Sequence, residues 1–135
     1  MPTAETAPPT PKVRILVADD LPVWRVGVRN LLRARPDWRI IEACDGHEAV
    51  QKATEFRPDI VLLDVGMPIL NGFEAARKIR KATPSSKIIF VTLNGDDDLK
   101  TAALAMGAEA YLLKTNAVRE LLLAIEAALG DGHQR

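Results

Sequence analysis

Asp19 and Asp20 end the run VRILVADD, Asp64 ends DIVLLD and Lys114 ends AEAYLLK, so three short apolar runs each deliver charged chemistry at their C-terminal end. Near-continuous Val/Ile/Leu runs read as strands buried on both faces, and in an open parallel sheet ligands bind just outside the carboxyl ends of such strands. The spacing therefore predicts that these residues converge on one site. Three carboxylates crowded at a sheet edge repel, at roughly 4 kcal/mol per pair about 4 Å apart in an effective dielectric near 20. They need a cation. Hard oxygen ligands suit Mg2+, which keeps several waters and is held by one or two carboxylates plus a phosphate. A carboxylate is also a nucleophile toward phosphorus. Asp64 stands alone after the most apolar strand and is the expected nucleophile, while the adjacent Asp19 and Asp20 are better placed to share a metal. Lys114 would offset charge on the phosphoryl oxygens, and Thr92, which ends KIIFVT, would donate a hydroxyl hydrogen bond to them.

The elements that must position these residues follow from pattern. VRILVA (13–18), WRIIEA (38–43), DIVLLD (59–64), KIIFVT (87–92) and EAYLLK (109–114) read as strands. Pro22 suits the first turn of a helix running to about Arg33, with Asp20 as its expected cap. Asp45-Gly46 breaks into a helix through Phe56, which Pro58 stops. FEAARKIRKA forms the next helix, with Ile79 inward. Asp96, Asp97 and Asp98 complement the start of the helix carrying LKTAALAM, which Gly107 ends. Asn116 is the expected cap of VRELLLAIEAAL, closed by Gly130. Val118, Leu121, Leu122, Ile125 and Leu129 form its inward stripe and leave Leu123 outside. Five strands alternating with five helices imply an α/β, flavodoxin-like (βα)5 three-layer sandwich with parallel strand order 2-1-3-4-5. Its switch point lies between the first and third strands, which carry Asp19, Asp20 and Asp64.

At 135 residues, 47% of them hydrophobic, the chain is one domain able to bury a core without staples. Lys plus Arg equals Asp plus Glu at 18 each, so no global basic field draws it to DNA or a membrane surface. The single Cys44 reads as a small buried hydrophobe. Residues 1–11, rich in Pro, Thr and Ala, read as a disordered leader without signal-peptide features, residues 12–130 as the domain, and 131–135 as a tail or the start of a linker. No apolar stretch approaches the roughly 18 residues that span a bilayer, and a cytoplasmic protein is expected.

The VADD doublet, LLDVGMPILNGFE around Asp64, Thr92, and AYLLK ending in Lys114, in this order and at these strand ends, resemble the receiver domain of bacterial response regulators. The resemblance covers residues 12 to about 130. It implies that Asp64 accepts a phosphoryl group from a sensor histidine kinase and that Mg2+ sits on Asp19, Asp20, Asp64 and the Gly66 backbone carbonyl. It further implies that Lys114 pairs with the phosphoryl group, and that Thr92 and Tyr111 act as switch residues which shift the fourth helix, fifth strand and fifth helix. The opening DDLPVWRVGVRNLL and the non-proline Thr115 after Lys114 are similar to receivers joined to LuxR-type helix-turn-helix domains. Such receivers control transcription, touching DNA only through the output domain, which this chain lacks. Leu93 departs from the small residue usual after the switch threonine and would crowd the phosphoryl pocket and its attacking water.

Each residue also has a blander reading. Asp19 and Asp20 would suit a helix start, Lys114 a solvated charge, Thr92 a β-former, Tyr111 a core aromatic, and Trp24 and Trp38 packing. Only their joint register promotes the first four, and a switch role for Tyr111 does not exclude its being a core aromatic. A haloacid-dehalogenase-like phosphatase needs a second Asp where Gly66 stands. A flavin site needs a Ser/Thr/Gly-rich cradle in place of DLPVW. The remaining alternatives are a receiver that acts unphosphorylated as a protein-docking module and, through Leu123, a homodimer formed on the last helix.

Overall fold

A computed structural model describes residues 13–130, so the expected leader and tail lie outside the described residues. The strands are β1 (Val13–Ala18), β2 (Trp38–Ala43), β3 (Ile60–Leu63), β4 (Lys87–Thr92) and β5 (Ala110–Leu113). They alternate with α1 (Pro22–Leu32), α2 (Gly46–Phe56), α3 (Gly72–Ala82), α4 (Asp97–Ala105) and α5 (Ala117–Leu129), and a 3-10 turn over Lys114–Asn116 leads into α5. All pairings are parallel, in the order β2-β1-β3-β4-β5 expected from the sequence.

Side chains alternate across the strands, so two cores form. Leu16, Ala18, Val61, Leu63, Ile88 and Phe90 face α2, α3 and α4. Ile15, Val17, Ile60, Leu62, Ile89 and Val91 face α1 and α5. Burial of β3 on both faces explains its uninterrupted IVLL.

Register sets where the chemistry emerges. Ala18 pairs with Leu63, and Leu63 with Phe90, so Asp19 and Asp64 leave the sheet side by side. Thr92 pairs with Leu113, which puts Lys114 one step past the end of the fourth strand.

Two glycines allow the loop after β3 to sit close. A Cβ on Gly72 would lie 2.2 Å from the Asp64 carbonyl oxygen, and one on Gly46 1.8 Å from that of Leu70. Within the same loop the Leu70 N–H donates to the Pro68 carbonyl at 2.7 Å, closing a three-residue turn around Ile69. Ile69 has φ +68° and is exposed. A β-branched residue in this region is strained. Replacing Ile69 with glycine is expected to raise the unfolding free energy by up to about 1 kcal/mol, readable by urea denaturation.

Four expectations are corrected. The N-cap of α1 is Leu21, without a side-chain cap, because Pro22 holds the first helical position; the carboxylate that receives the Leu21 N–H is that of Asp19, not Asp20. Asn116 holds the N-cap position of α5 as expected, but its side chain makes no capping bond: the chain enters from the 3-10 turn, and its Oδ1 instead accepts from Arg119. The inward stripe of α5 begins at Ala117, which leaves Val118 80% exposed. Cys44 is exposed, since it follows β2 into the loop and its neighbours there are Asp45 and Glu48.

The outer side of β2 is an open sheet edge. Arg29 donates to the Ile40 carbonyl at 3.3 Å and Lys52 to the Glu42 carbonyl at 2.5 Å. The Glu42 side chain in turn receives Arg29 and Arg25, at 2.7 and 2.9 Å, tying α1 to this strand. The Arg29 bond, followed by that of Arg25, holds the Glu42 carboxyl below its usual range. A depressed carboxyl favours folding above its unfolded value, and that contribution disappears as pH falls through the folded value. Glu42→Gln is expected to cost about 1 kcal/mol at neutral pH, for a partly solvated pair, and to lose part of the native acid sensitivity. Urea unfolding at pH 7 and pH 4 checks both effects.

Candidate functional site

The carboxyl ends of β1 and β3 bring Asp19, Asp20 and Asp64 together, with one carboxylate oxygen of each within 4.8 Å of the others. Asp19 is 1% exposed. Its Oδ1 accepts from the Leu21 N–H at 2.9 Å. Its Oδ2 forms a 2.6 Å ion pair with Lys114 Nζ. Burial pushes the Asp19 carboxyl up from its usual range, further raised by Asp64, against the opposing pull of Lys114 and the Leu21 N–H. A buried carboxylate facing two more carboxylates, with one ammonium against three negative charges, is a donor set that fits a hard divalent cation.

Lys114 is held in three directions. Its ammonium stands 2.6 Å from Asp19 Oδ2, 3.6 Å from Asp64 Oδ2 and 5.0 Å from the centre of the Trp24 ring. Beside it opens a cavity of about 230 Å³ whose lining includes Leu21, Asp64, Gly66, Thr92, Leu93 and Lys114. Leu93 is 70% exposed and therefore rims this cavity without plugging it. The Gly66 N–H approaches Asp64 Oδ1 at 3.4 Å.

Thr92 and Tyr111 are both buried and meet at Asn94. The Thr92 hydroxyl oxygen accepts from the Asn94 N–H at 3.2 Å, while the Tyr111 hydroxyl donates to the Asn94 carbonyl at 2.7 Å. Burial, followed by the charges of Asp96 and Asp64, raises the Tyr111 hydroxyl above its usual value. The Tyr111 ring continues an aromatic row through Phe90 to Phe73 on α3, at 6.2 and 4.9 Å between centres.

Every site residue expected from the sequence thus lies at the C-terminal edge of the sheet or just behind it. Sequence reasoning missed three participants. Asn94 reads as a turn residue, and its link to Thr92 and Tyr111 comes through backbone groups that carry no residue signature. Trp24 reads as packing. Arg25, one residue later, reaches back to donate to the Asp19 carbonyl at 2.6 Å while also holding Glu42. An arginine six residues after a strand-end acid, on the first inward turn of a helix, was the only available hint.

The family model for the response regulator receiver domain matches residues 15–126. The chain belongs to this family. Among curated relatives, the receiver is 40% identical over 117 residues to the transcriptional regulatory protein LiaR of Bacillus subtilis, covering 86% of this chain and 56% of LiaR. It is 36% identical to the nitrate/nitrite response regulator protein NarL of Escherichia coli, covering 87% of this chain and 55% of NarL. The chain spans about half the length of these relatives. A crystal structure of a LuxR-family two-component response regulator from Aurantimonas superposes with a TM-score of 0.81 at 36% identity, over 87% of this chain and 84% of that one. This receiver is therefore a signalling domain of the two-component type, related to transcriptional regulators, as the resemblance implied. Among its described residues no helix is long and apolar enough to cross a membrane.

Proposed function

We propose that this receiver is a phosphorylation-dependent switch that accepts a phosphoryl group on Asp64 from a sensor histidine kinase and controls transcription through an output domain outside this chain. The observation that carries this reading is the Lys114 ammonium, set between Asp19 and Asp64 beside an open cavity that also touches Thr92. That is the arrangement a phosphoryl group needs: a nucleophile beneath it, a cation at its side and a hydroxyl opposite.

In the forward step an Asp64 carboxylate oxygen bonds to phosphorus as the phosphorus–nitrogen bond to the donor histidine breaks, and the electron pair leaves with the imidazole. Lys114 then moves its contact from Asp19 toward the phosphoryl oxygens. Asp19, Asp20, Asp64 and the Gly66 carbonyl would hold Mg2+, which when bound neutralises charge on the phosphoryl oxygens. Thr92 turns its hydroxyl from Asn94 to the phosphoryl group, so the Asn94 segment loses one of its two anchors and Tyr111 is free to change rotamer. A switch from 1:99 to 99:1 needs about 5.5 kcal/mol. Charge-assisted hydrogen bonds from Thr92 and Lys114, roughly 1.5–3 kcal/mol each, are of that size. For hydrolysis, water attacks phosphorus from the cavity side, regenerating the Asp64 carboxylate and releasing inorganic phosphate.

The test is mass spectrometry after incubation with acetyl phosphate and Mg2+, in which acetate is the leaving group. A phosphoryl adduct is expected, absent with chelator and absent in Asp64→Asn. No adduct would favour a receiver that acts unphosphorylated as a protein-docking module. Because Leu93 rims the water's approach, Leu93→Ala is expected to shorten the life of the adduct by several-fold, up to about tenfold, which corresponds to about 1.4 kcal/mol of barrier. Decay of the adduct mass over time reads it directly.

A further inference from the structure

We infer that Trp24 is a positioning residue for phosphoryl transfer: its indole face holds the Lys114 ammonium in the site, as the third of three partners. The inference rests on the phosphoryl-acceptor reading above. An ammonium group has three donors and no acceptor. Lys114 faces Asp19 Oδ2, Asp64 Oδ2 and the Trp24 ring, and its side chain is only 7% exposed. The indole therefore stands where water would otherwise solvate the third N–H. A flexible four-carbon stem that could swing its charge to solvent is kept aimed at the two carboxylates.

Nothing else among the described contacts of Lys114 does this. Both carboxylates are expected to change partner in the reaction, Asp19 to the metal and Asp64 to phosphorus. The indole alone has no part in either exchange. A cation over an aromatic face is stabilised most when desolvated, the condition met here. Trp24 is supplied by α1, whose placement is fixed by the Arg25 and Arg29 bonds to Glu42, so the ring reaches the site from a braced helix.

The experiment separates the π face from mere bulk. In a Trp38→Phe background Trp24 is the sole tryptophan. Its emission, without any phosphoryl donor, is expected to change when Lys114→Met removes the ammonium. In full-length protein, Trp24→Leu keeps apolar bulk and is expected to slow adduct formation from acetyl phosphate about tenfold, while Trp24→Phe restores most of the rate. Trp24→Leu reacting at the native rate overturns the inference, as does emission indifferent to Lys114→Met. Should the leucine variant fail to fold by thermal melting, the emission comparison, which leaves Trp24 intact, decides. Absence of any adduct in the native protein removes the phosphoryl reading and this inference with it, whereas a native adduct with a normal leucine variant removes the inference alone.

Discussion

Asp19→Asn is expected to make the metal-free protein more stable at neutral pH and to abolish its stabilisation by Mg2+. Asp19 is almost wholly buried, with a single ammonium, that of Lys114, against one of its oxygens. Burial raises its carboxyl from the usual range in spite of the neighbouring ammonium. A carboxyl raised in this way binds its proton more tightly in the folded state than in the unfolded one. Its favourable contribution is complete at low pH and is lost as pH rises through the folded value. Above that value the buried charge therefore works against folding. The asparagine side chain carries no charge at any pH and can still accept from the Leu21 N–H, and Lys114 keeps Asp64. Metal reverses the order. Mg2+ at about 100 times its dissociation constant adds about 2.7 kcal/mol to a protein that binds it only when folded, and the variant is expected to gain almost none of this. Urea unfolding with Mg2+ and with chelator measures both arms; a variant less stable than the native protein in chelator would contradict the first.

Gly72→Ala is expected to cost about 2–3 kcal/mol and to displace Asp64. The added Cβ would meet the Asp64 carbonyl oxygen at 2.2 Å and the Val65 Cα at 2.8 Å, both backbone atoms that no rotamer change can move. Overpacking of this severity falls at the upper end of the usual range of about 1–3 kcal/mol. The α3 capping box adds to the constraint, since Asn71 and Glu74 fix the helix start one residue away. The strand and the helix cannot both stay, so the loop between them shifts with its nucleophile. Chemical denaturation gives the stability loss, and slower adduct formation under conditions where the variant is folded gives the displacement.

Strand ends and their chemistry were legible in the sequence because the last four residues of β1 and all of β3 are buried and apolar, which makes Asp19 and Asp64 directly after them conspicuous, as Lys114 is after the AYLL of β5. The bounds of β1, β2 and β4 agree residue for residue. Helix starts were less legible. Asp20 has the look of a cap because capping is a local habit of aspartate, but Pro22 moves the helix start and Asp19 takes the Leu21 N–H. Val118 and Ala117 differ by one residue in where the 3-10 turn hands over to α5, a rotation of about 100°. Cys44 misleads because a small sulfur side chain after an apolar run has the same pattern whether the strand continues or stops. The Asn94 link and the Trp24 contact depend on backbone carbonyls and on helix placement, neither of which has a residue-type signature.

The two side chains that reach around β2 have a consequence for the protein in a crowded solution. A strand at the border of a sheet offers outward carbonyls that another chain can adopt as a template, the first step toward ordered aggregates. Here the outward carbonyls of Ile40 and Glu42 are already engaged by the guanidinium of Arg29 and the ammonium of Lys52. A foreign strand would have to displace two cations before pairing with these carbonyls, so the helices that build the fold also blunt this border.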